Sequence, residues 1–273
     1  MLGKAWDGVL SAPVEGRMAK PRNSGWTMVI DKGLGLAATE DLLDLAGDYI
    51  DLLKLSFGTS AFYPAEMLRE KTAMVKAHRV GIMPGGTFAE VALLQGRWDA
   101  YLERAAQLGF DTLEISDGTI TLAHDRRLAA ILSARDKGFR VVTEVGKKHP
   151  GDQPSLESQI ETAISDLKAG AAMVIIEGRE SGSGVGIFGV DGEIVEDRLT
   201  ALAERLPLSH VIWEAPRKNQ QEELILSYGP NVNLGNIPPS DILALEALRI
   251  GLRGDTLRAA IQAGTGAPLP ITA

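Results

Sequence analysis

Val141-Val142-Thr143-Glu144-Val145-Gly146-Lys147-Lys148, a helical pattern over 155–169, then Val174-Ile175-Ile176-Glu177-Gly178-Arg179-Glu180: this stretch decides the fold. Two short apolar strands each end in an acid and a base. The segment between them is long enough for the helical crossover that parallel strands need. Neither strand alternates apolar with polar residues, as expected when helices or a packed interior cover both faces.

The same unit recurs on either side. Thr27-Met28-Val29-Ile30 runs into Asp31-Lys32-Gly33, Ile50-Asp51-Leu52-Leu53 into Lys54, and Leu113 into Glu114-Ile115-Ser116-Asp117-Gly118-Thr119. Val211-Ile212-Trp213 runs into Glu214-Ala215-Pro216-Arg217-Lys218. Strands are predicted near 27–31, 50–56, 79–84, 111–116, 139–145, 172–177, 210–214 and 231–234. Helices are predicted over 39–47, 64–77, 98–108, 125–137, 155–169, 194–206, 218–227 and 240–252. Pro64 suits a helix start, Asp125 and Ser240 suit N-caps, and Gly109, Gly138 and Gly170 suit helix stops. A chain of 273 residues is close to the roughly 250 of a (β/α)₈ barrel. The expected fold is therefore α/β, a single (β/α)₈ TIM barrel over 27–273 with an irregular arm over 1–26. A doubly wound open sheet is the structural alternative, but no Rossmann glycine fingerprint follows the first strand.

Composition narrows the function. The net charge of −8 argues against nucleic acid, which needs a basic face. No apolar run approaches the roughly 20 residues of a membrane span. Cysteine is absent, and the N-terminus lacks a basic-then-apolar secretory pattern, so a cytoplasmic protein is expected.

A parallel barrel gathers its strand ends at one rim. Asp31, Lys54, Glu114, Glu144, Glu177 and Glu214 then become neighbours. Several carboxylates around a polar site suit a hard cation such as Mg²⁺. Zinc is disfavoured, since His78, His124, His149 and His210 lack ligand spacing. Lys32, Lys147, Lys148, Arg179 and Lys218 add cations to the rim, which suits a small anionic substrate with more than one charged group. Three glycine-rich loops can bring backbone N–H groups to an anion: Gly85 and Gly86 after the third strand, Ser181, Gly182 and Gly184 after the sixth, and Gly235 with Asn236 after the eighth. The 181–186 loop is expected to be mobile, a possible lid. No Walker pattern and no nucleophile elbow is present.

Taken together, Lys20-Pro21-Arg22, Asp31-Lys32-Gly33, Pro84-Gly85-Gly86-Thr87, Glu114-Ile115-Ser116-Asp117-Gly118-Thr119, Glu144-Val145-Gly146-Lys147-Lys148, Glu177-Gly178-Arg179-Glu180-Ser181-Gly182 and Glu214-Ala215-Pro216 stand in an order that closely resembles the phosphosulfolactate synthase family. The resemblance spans roughly residues 20–256; nothing before Lys20 is matched. It implies a (β/α)₈ barrel, a Mg²⁺ requirement and a homo-oligomer. It also implies addition of sulfite to phosphoenolpyruvate, giving (2R)-phospho-3-sulfolactate for coenzyme M synthesis or sulfolactate formation. By motif, Lys147 becomes the proton donor to the substrate carbon, with Lys148 or Lys54 in reserve. Glu114, Glu144 and Glu177 become metal-ligand candidates, followed by Asp31 and Glu214. Arg179 and Arg22, with Lys32, Arg217, Asn236 and the glycine loops, become candidates for phosphate or sulfite. Two alternatives stand beside this reading: another Mg²⁺-dependent enzyme of phosphoenolpyruvate or a related enol phosphate, and a non-catalytic, stress-related family member.

Overall fold

A computed structural model of the chain describes residues 4–264. The first three residues of the expected arm and the last nine of the expected barrel lie outside the described residues.

Eight strands form one sheet in the order β3-β2-β1-β8-β7-β6-β5-β4. They are β1 (Thr27–Asp31), β2 (Leu52–Leu55), β3 (Gly81–Met83), β4 (Thr112–Ile115), β5 (Arg140–Val145), β6 (Met173–Ile176), β7 (Val211–Glu214) and β8 (Asn233–Ile237). Every ladder is parallel. β3 and β4 stand side by side without a ladder. A side chain spans this seam, where Ile82 N donates to Asp111 Oδ1 at 2.9 Å. The result is a nearly closed (β/α)₈ barrel.

Ten helices surround it among the described residues: α1 (Leu36–Ala46), α2 (Ala65–Ala77), α3 (Gly86–Leu94), α4 (Trp98–Gln107), α5 (His124–Asp136), α6 (Leu156–Ala169), α7 (Glu196–Arg205), α8 (Lys218–Tyr228), α9 (Ile242–Arg249) and α10 (Gly254–Gln262). Two of these are corrections to the sequence reading. α3 occupies what looked like a glycine loop. It shows no amphipathic stripe because even its acid, Glu90, is buried, bonded to Ser116 Oγ at 2.6 Å and Thr119 N at 2.9 Å. α10 lies past the last expected helix. Nor do the expected caps hold: α5 begins before Asp125, and Ser240 bonds Asp241 instead of a helix N–H. Gly170 ends α6 in the left-handed conformation, as expected, at φ +104°.

Side chains of a strand point alternately to its two faces. Met28, Leu52, Met83, Val142, Met173, Ile175 and Ile212 fill the barrel interior. The opposite faces, including Val29, Leu53, Leu113, Val141, Val174 and Trp213, pack under the helices. Two residues beyond Leu52, Val142, Ile175 and Ile212 come Lys54, Glu144, Glu177 and Glu214. The period of two therefore turns these charged residues into the barrel mouth, above its apolar filling.

Candidate active site

The mouth encloses a pocket of about 500 Å³ at the carboxyl ends of the strands. Lys54, Glu114, Glu144, Glu177, Glu214, Lys148, Arg179 and Asn236 all reach its wall. Lys54 stands at the centre, its Nζ 2.8 Å from Glu114 Oε2 and 3.3 Å from oxygens of both Glu144 and Glu214. Burial works against its charge, but the three carboxylates prevail and raise its pKa well above the ordinary lysine value. Lys148 Nζ lies 2.7 Å from Thr87 Oγ1 and 3.8 Å from Glu144 Oε1. Its burial is likewise overcome by Glu144 and Glu177, which raise its pKa.

Four glutamates with at most 2 % exposure, Glu114, Glu144, Glu177 and Glu214, face these two ammonium groups. An unpaired ion in such surroundings costs several kcal/mol, so the surplus carboxylates need protons or a further cation. Burial pushes Glu114 up to about 7, against the pull of Lys54. Burial and the charges of Glu144 and Glu214 push Glu177 well above the carboxylate range. Glu144 is buried too, yet Lys54 and Lys148 hold it down at about 2.

The hydrogen bonds separate these acids by role. Glu114 Oε1 accepts from Gly86 N at 3.0 Å and Oε2 meets Lys54, so both oxygens are engaged. Both oxygens of Glu214 are engaged as well, Oε1 with Lys54 and Oε2 accepting from the N–H groups of Gly178 and Arg179 at 3.0 and 3.1 Å. Glu144 Oε1 and Glu177 Oε2 are buried and accept no hydrogen bond from an N–H or hydroxyl group; the two carboxyls lie against each other, with Lys148 3.8 Å from Glu144 Oε1. Ligand oxygens of Glu144, Glu177 and Glu214 lie within 4.8 Å of one another, little more than the roughly 4 Å across a Mg²⁺ octahedron. All-oxygen donors, two orphaned oxygens and a surplus of negative charge fit a hard divalent cation. Asn236 Oδ1, also buried and unpartnered, faces the same pocket.

Backbone strain concentrates here. Phe57, Arg179 and Asn236 hold left-handed φ angles of +59°, +60° and +56°, and all three line the pocket. Such conformations cost energy in residues other than glycine and cluster at functional sites. Gly85, at φ +81°, admits the turn into α3; at Gly86 a Cβ would collide with the Glu114 carboxylate.

Several expected site residues sit elsewhere. Arg22 is at the amino end of the barrel, 2.8 Å from Asp51, so it cannot reach the mouth. Asp31 follows Ile30, which takes the inward position, and so turns outward to Lys71 Nζ at 2.5 Å and to the N–H groups of Gly33 and Leu34. Lys147 points away from the pocket, where its Nζ donates to Asp117 Oδ2 and Ile120 O, both at 2.8 Å. Lys32 meets Glu180 on the rim rather than the pocket wall. Gly182 and Gly184 are off the wall, while Ser181, Gly85 and Gly86 are on it.

The 181–191 segment is pinned rather than free. Arg217 bonds Ser181 O and Asp191 O at 2.7 and 2.8 Å, and Gln220 bonds Gly182 O and Gly192 O at 2.7 and 2.8 Å. Arg217 is thus a loop holder, not a pocket residue. The sequence reading missed Gln220, Phe57 and Thr87 as contributors. Thr87 lay within a quoted motif; Phe57 and Gln220 carried no signal.

A parallel barrel with buried acids and cations converging on one pocket is the architecture of an enzyme for small charged substrates. Comparison with known proteins sharpens this. Residues 15–255 match the family model described as (2R)-phospho-3-sulfolactate synthase (ComA). The chain is 46 % identical to the phosphosulfolactate synthase of Methanothermobacter thermautotrophicus over 243 residues, covering 88 % of this chain and 94 % of that one. It is 38 % identical to the phosphosulfolactate synthase of Bacillus subtilis over 253 residues, covering 90 % and 97 %. The chain belongs to the phosphosulfolactate synthase family. Among solved structures, 3-hexulose-6-phosphate synthase from Salmonella typhimurium superposes with a TM-score of 0.53 at 12 % identity, covering 87 % of this chain and 99 % of that one. That likeness is one of fold alone. Among the described residues, no helix is long and apolar enough to cross a membrane.

Proposed function

We propose that the chain is a Mg²⁺-dependent carbon–sulfur lyase acting in the synthetic direction, adding sulfite to phosphoenolpyruvate to give (2R)-phospho-3-sulfolactate. The observation that carries this reading is the cluster of Glu144, Glu177 and Glu214 with its unpartnered oxygens, set beside two buried lysines. These three glutamates would hold the ion. Bound there, Mg²⁺ supplies Lewis-acid stabilisation of the negative charge that develops on the substrate carboxylate.

In the reaction, the sulfur lone pair of sulfite forms a bond to the methylene carbon. The double-bond electrons move toward the carboxylate, and a proton is then added at the neighbouring carbon. Nothing leaves, so the protein must bind anions, stabilise charge and deliver one proton to one face. Lys148 is our proton donor: its ammonium is in the pocket and held by Thr87, whereas that of Lys147 is committed to Asp117 and Ile120. Lys54, fixed by three carboxylates, acts as a permanent counter-charge and orients Glu114, Glu144 and Glu214. Arg179 makes no ion pair among the described residues and lines the pocket, which suits it to phosphate or sulfite. Ser181, Asn236 and the Gly85–Gly86 turn complete the anion surroundings. A cytoplasmic location and a homo-oligomeric assembly belong to the same proposal and rest on the family, not on this geometry.

Incubation of the purified chain with phosphoenolpyruvate, ³⁴S-labelled sulfite and Mg²⁺ tests the reading. The expected outcome is a phosphorylated product carrying the label, formed only with both substrates and metal. Consumption of phosphoenolpyruvate without incorporation of sulfur would assign the site to a different reaction.

A further inference from the structure

A second cavity, of about 290 Å³, lies outside the barrel mouth, in the helix layer beside the β3–β4 seam. Its walls are mainly apolar, from Tyr63, Leu68, Pro84, Phe88, Leu108 and Phe110. Three polar groups interrupt them. Ser60, only 6 % exposed, lines the cavity with a buried Oγ that has no hydrogen-bond partner. The buried hydroxyl of Tyr101 is unpartnered as well. Burial and the charge of Glu114 keep that phenol protonated, so it can donate. Arg104 reaches the same cavity, is exposed, and makes no ion pair among the described residues.

Leaving a buried hydroxyl unbonded is unfavourable. Two in one cavity, beside an uncommitted guanidinium, are more than apolar packing alone would leave. Tyr101 and Arg104 are three residues apart on α4, so their side chains are neighbours on one helix face. We propose that this cavity is a second binding site, for a small aromatic carboxylate. Its ring fills the apolar walls, its carboxylate pairs with Arg104 and accepts from Tyr101, and Ser60 provides a further hydroxyl contact. The ring would lie against Phe88 and Pro84, which flank the Gly85–Gly86 turn at the wall of the first pocket. The two sites are therefore back to back across the start of α3.

Saturation-transfer NMR titrations of the full chain test this, with 3-phenylpropanoate as the probe and 3-phenylpropan-1-ol as its uncharged counterpart. The expected result is saturable transfer to the ring protons of the carboxylate that excess phosphoenolpyruvate does not displace. Affinity should fall about tenfold for the alcohol and for Arg104→Ala, reflecting loss of a charge-assisted contact. Tyr101→Phe should also weaken binding while leaving the melting temperature of the free protein unchanged or higher, because it removes a hydroxyl with nothing to bond. Absence of transfer, displacement by phosphoenolpyruvate, or equal binding of both probes to Arg104→Ala and the parent would overturn the proposal. So would a lowered melting temperature for Tyr101→Phe. Phe62 is exposed beside the cavity; if Phe62→Ser splits an oligomer and only then admits the probe, the occupant is a second copy and the proposal fails.

Discussion

The two ends of this barrel treat buried charge in opposite ways. At the amino end, Arg22 meets Asp51 at 2.8 Å and Arg17 meets Glu246 at 2.9 Å. Arg249, fully buried, gives hydrogen bonds to Pro230 O and Val232 O, both at 2.7 Å. Asp51 Oδ2 also accepts from Thr27 N at 2.9 Å. Most partners there are matched, although Arg249 Nε is left without a hydrogen-bond partner and burial, with Arg17 nearby, lowers its pKa to about 9. At the carboxyl end, four buried glutamates face two ammonium groups and the Arg179 guanidinium, and Glu144 Oε1 and Glu177 Oε2 accept no hydrogen bond from an N–H or hydroxyl group. Matched buried charge holds a structure in register; unmatched buried charge waits for a ligand. Strand polarity explains the placement, since the loops that vary chemistry leave from the carboxyl ends.

Substitutions should separate the two ends by their readouts. The largest effect is expected for Lys148→Met, which should lower turnover about 10²–10⁴-fold, the range for a lost general acid, far more than the partial loss of stability from removing a counter-charge of Glu144 would explain in protein that still folds. Lys147→Met should cost much less turnover, since Lys147 acts only by tying the Asp117 loop to β5. A dead Lys147 variant beside an active Lys148 variant would reverse the assignment. Next comes Asp51→Ala at the amino end. It strands Arg22 and Thr27 N, and breaking a buried pair costs about 3–5 kcal/mol, measurable by denaturant unfolding; KM should not change while the protein stays folded. Glu177→Gln should act with the opposite sign. Without metal, it removes a carboxyl whose ionisation is opposed by burial and by the charges of Glu144 and Glu214 and should raise the melting temperature, while activity falls. A lowered melting temperature in calorimetry would mean that the acids are not in surplus.

The smallest effect belongs to Lys20, a half-buried amino-end cation that meets only carbonyl oxygens. Its Nζ donates to Gly47 O and Arg79 O, and burial brings its pKa down to about 8. A lysine whose folded pKa lies below its unfolded value opposes folding while charged, and that opposition fades as pH rises from about 8 toward 10.5. The group is partly exposed, so the gain is modest. Melting curves at rising pH should narrow the gap between the parent and Lys20→Met; a widening gap would contradict the burial argument.

Much of the mouth was legible in the sequence. Apolar strands ending in acids and bases gave Lys54, Glu114, Glu144, Glu177 and Glu214, because a parallel barrel must bring such ends together. Which strand-end residue faces inward was not legible. When both faces of a strand are apolar, the alternation that would fix its phase is invisible. Asp31 was therefore assigned to the mouth although it points away from it, whereas Lys147, in the loop past β5, was placed there by its motif and turns to Asp117 instead. Arg22 failed for another reason: a motif before a strand lies at the wrong end of the barrel. The pinning of the 181–191 segment by Gln220 and Arg217 depends on contacts 38 and 36 residues distant, which no local pattern encodes. α3 was missed because an almost wholly apolar helix resembles a buried strand or loop at short range.

We propose that the carboxyl end carries an excess of buried negative charge that a divalent cation balances. Calorimetric titration of the full chain with Mg²⁺, in parallel with Glu177→Gln, tests it most directly. Saturable binding by the parent, accompanied by a rise in melting temperature and weakened at least tenfold in the variant, is the predicted result. No binding by the folded parent, or identical binding by both proteins, would contradict it.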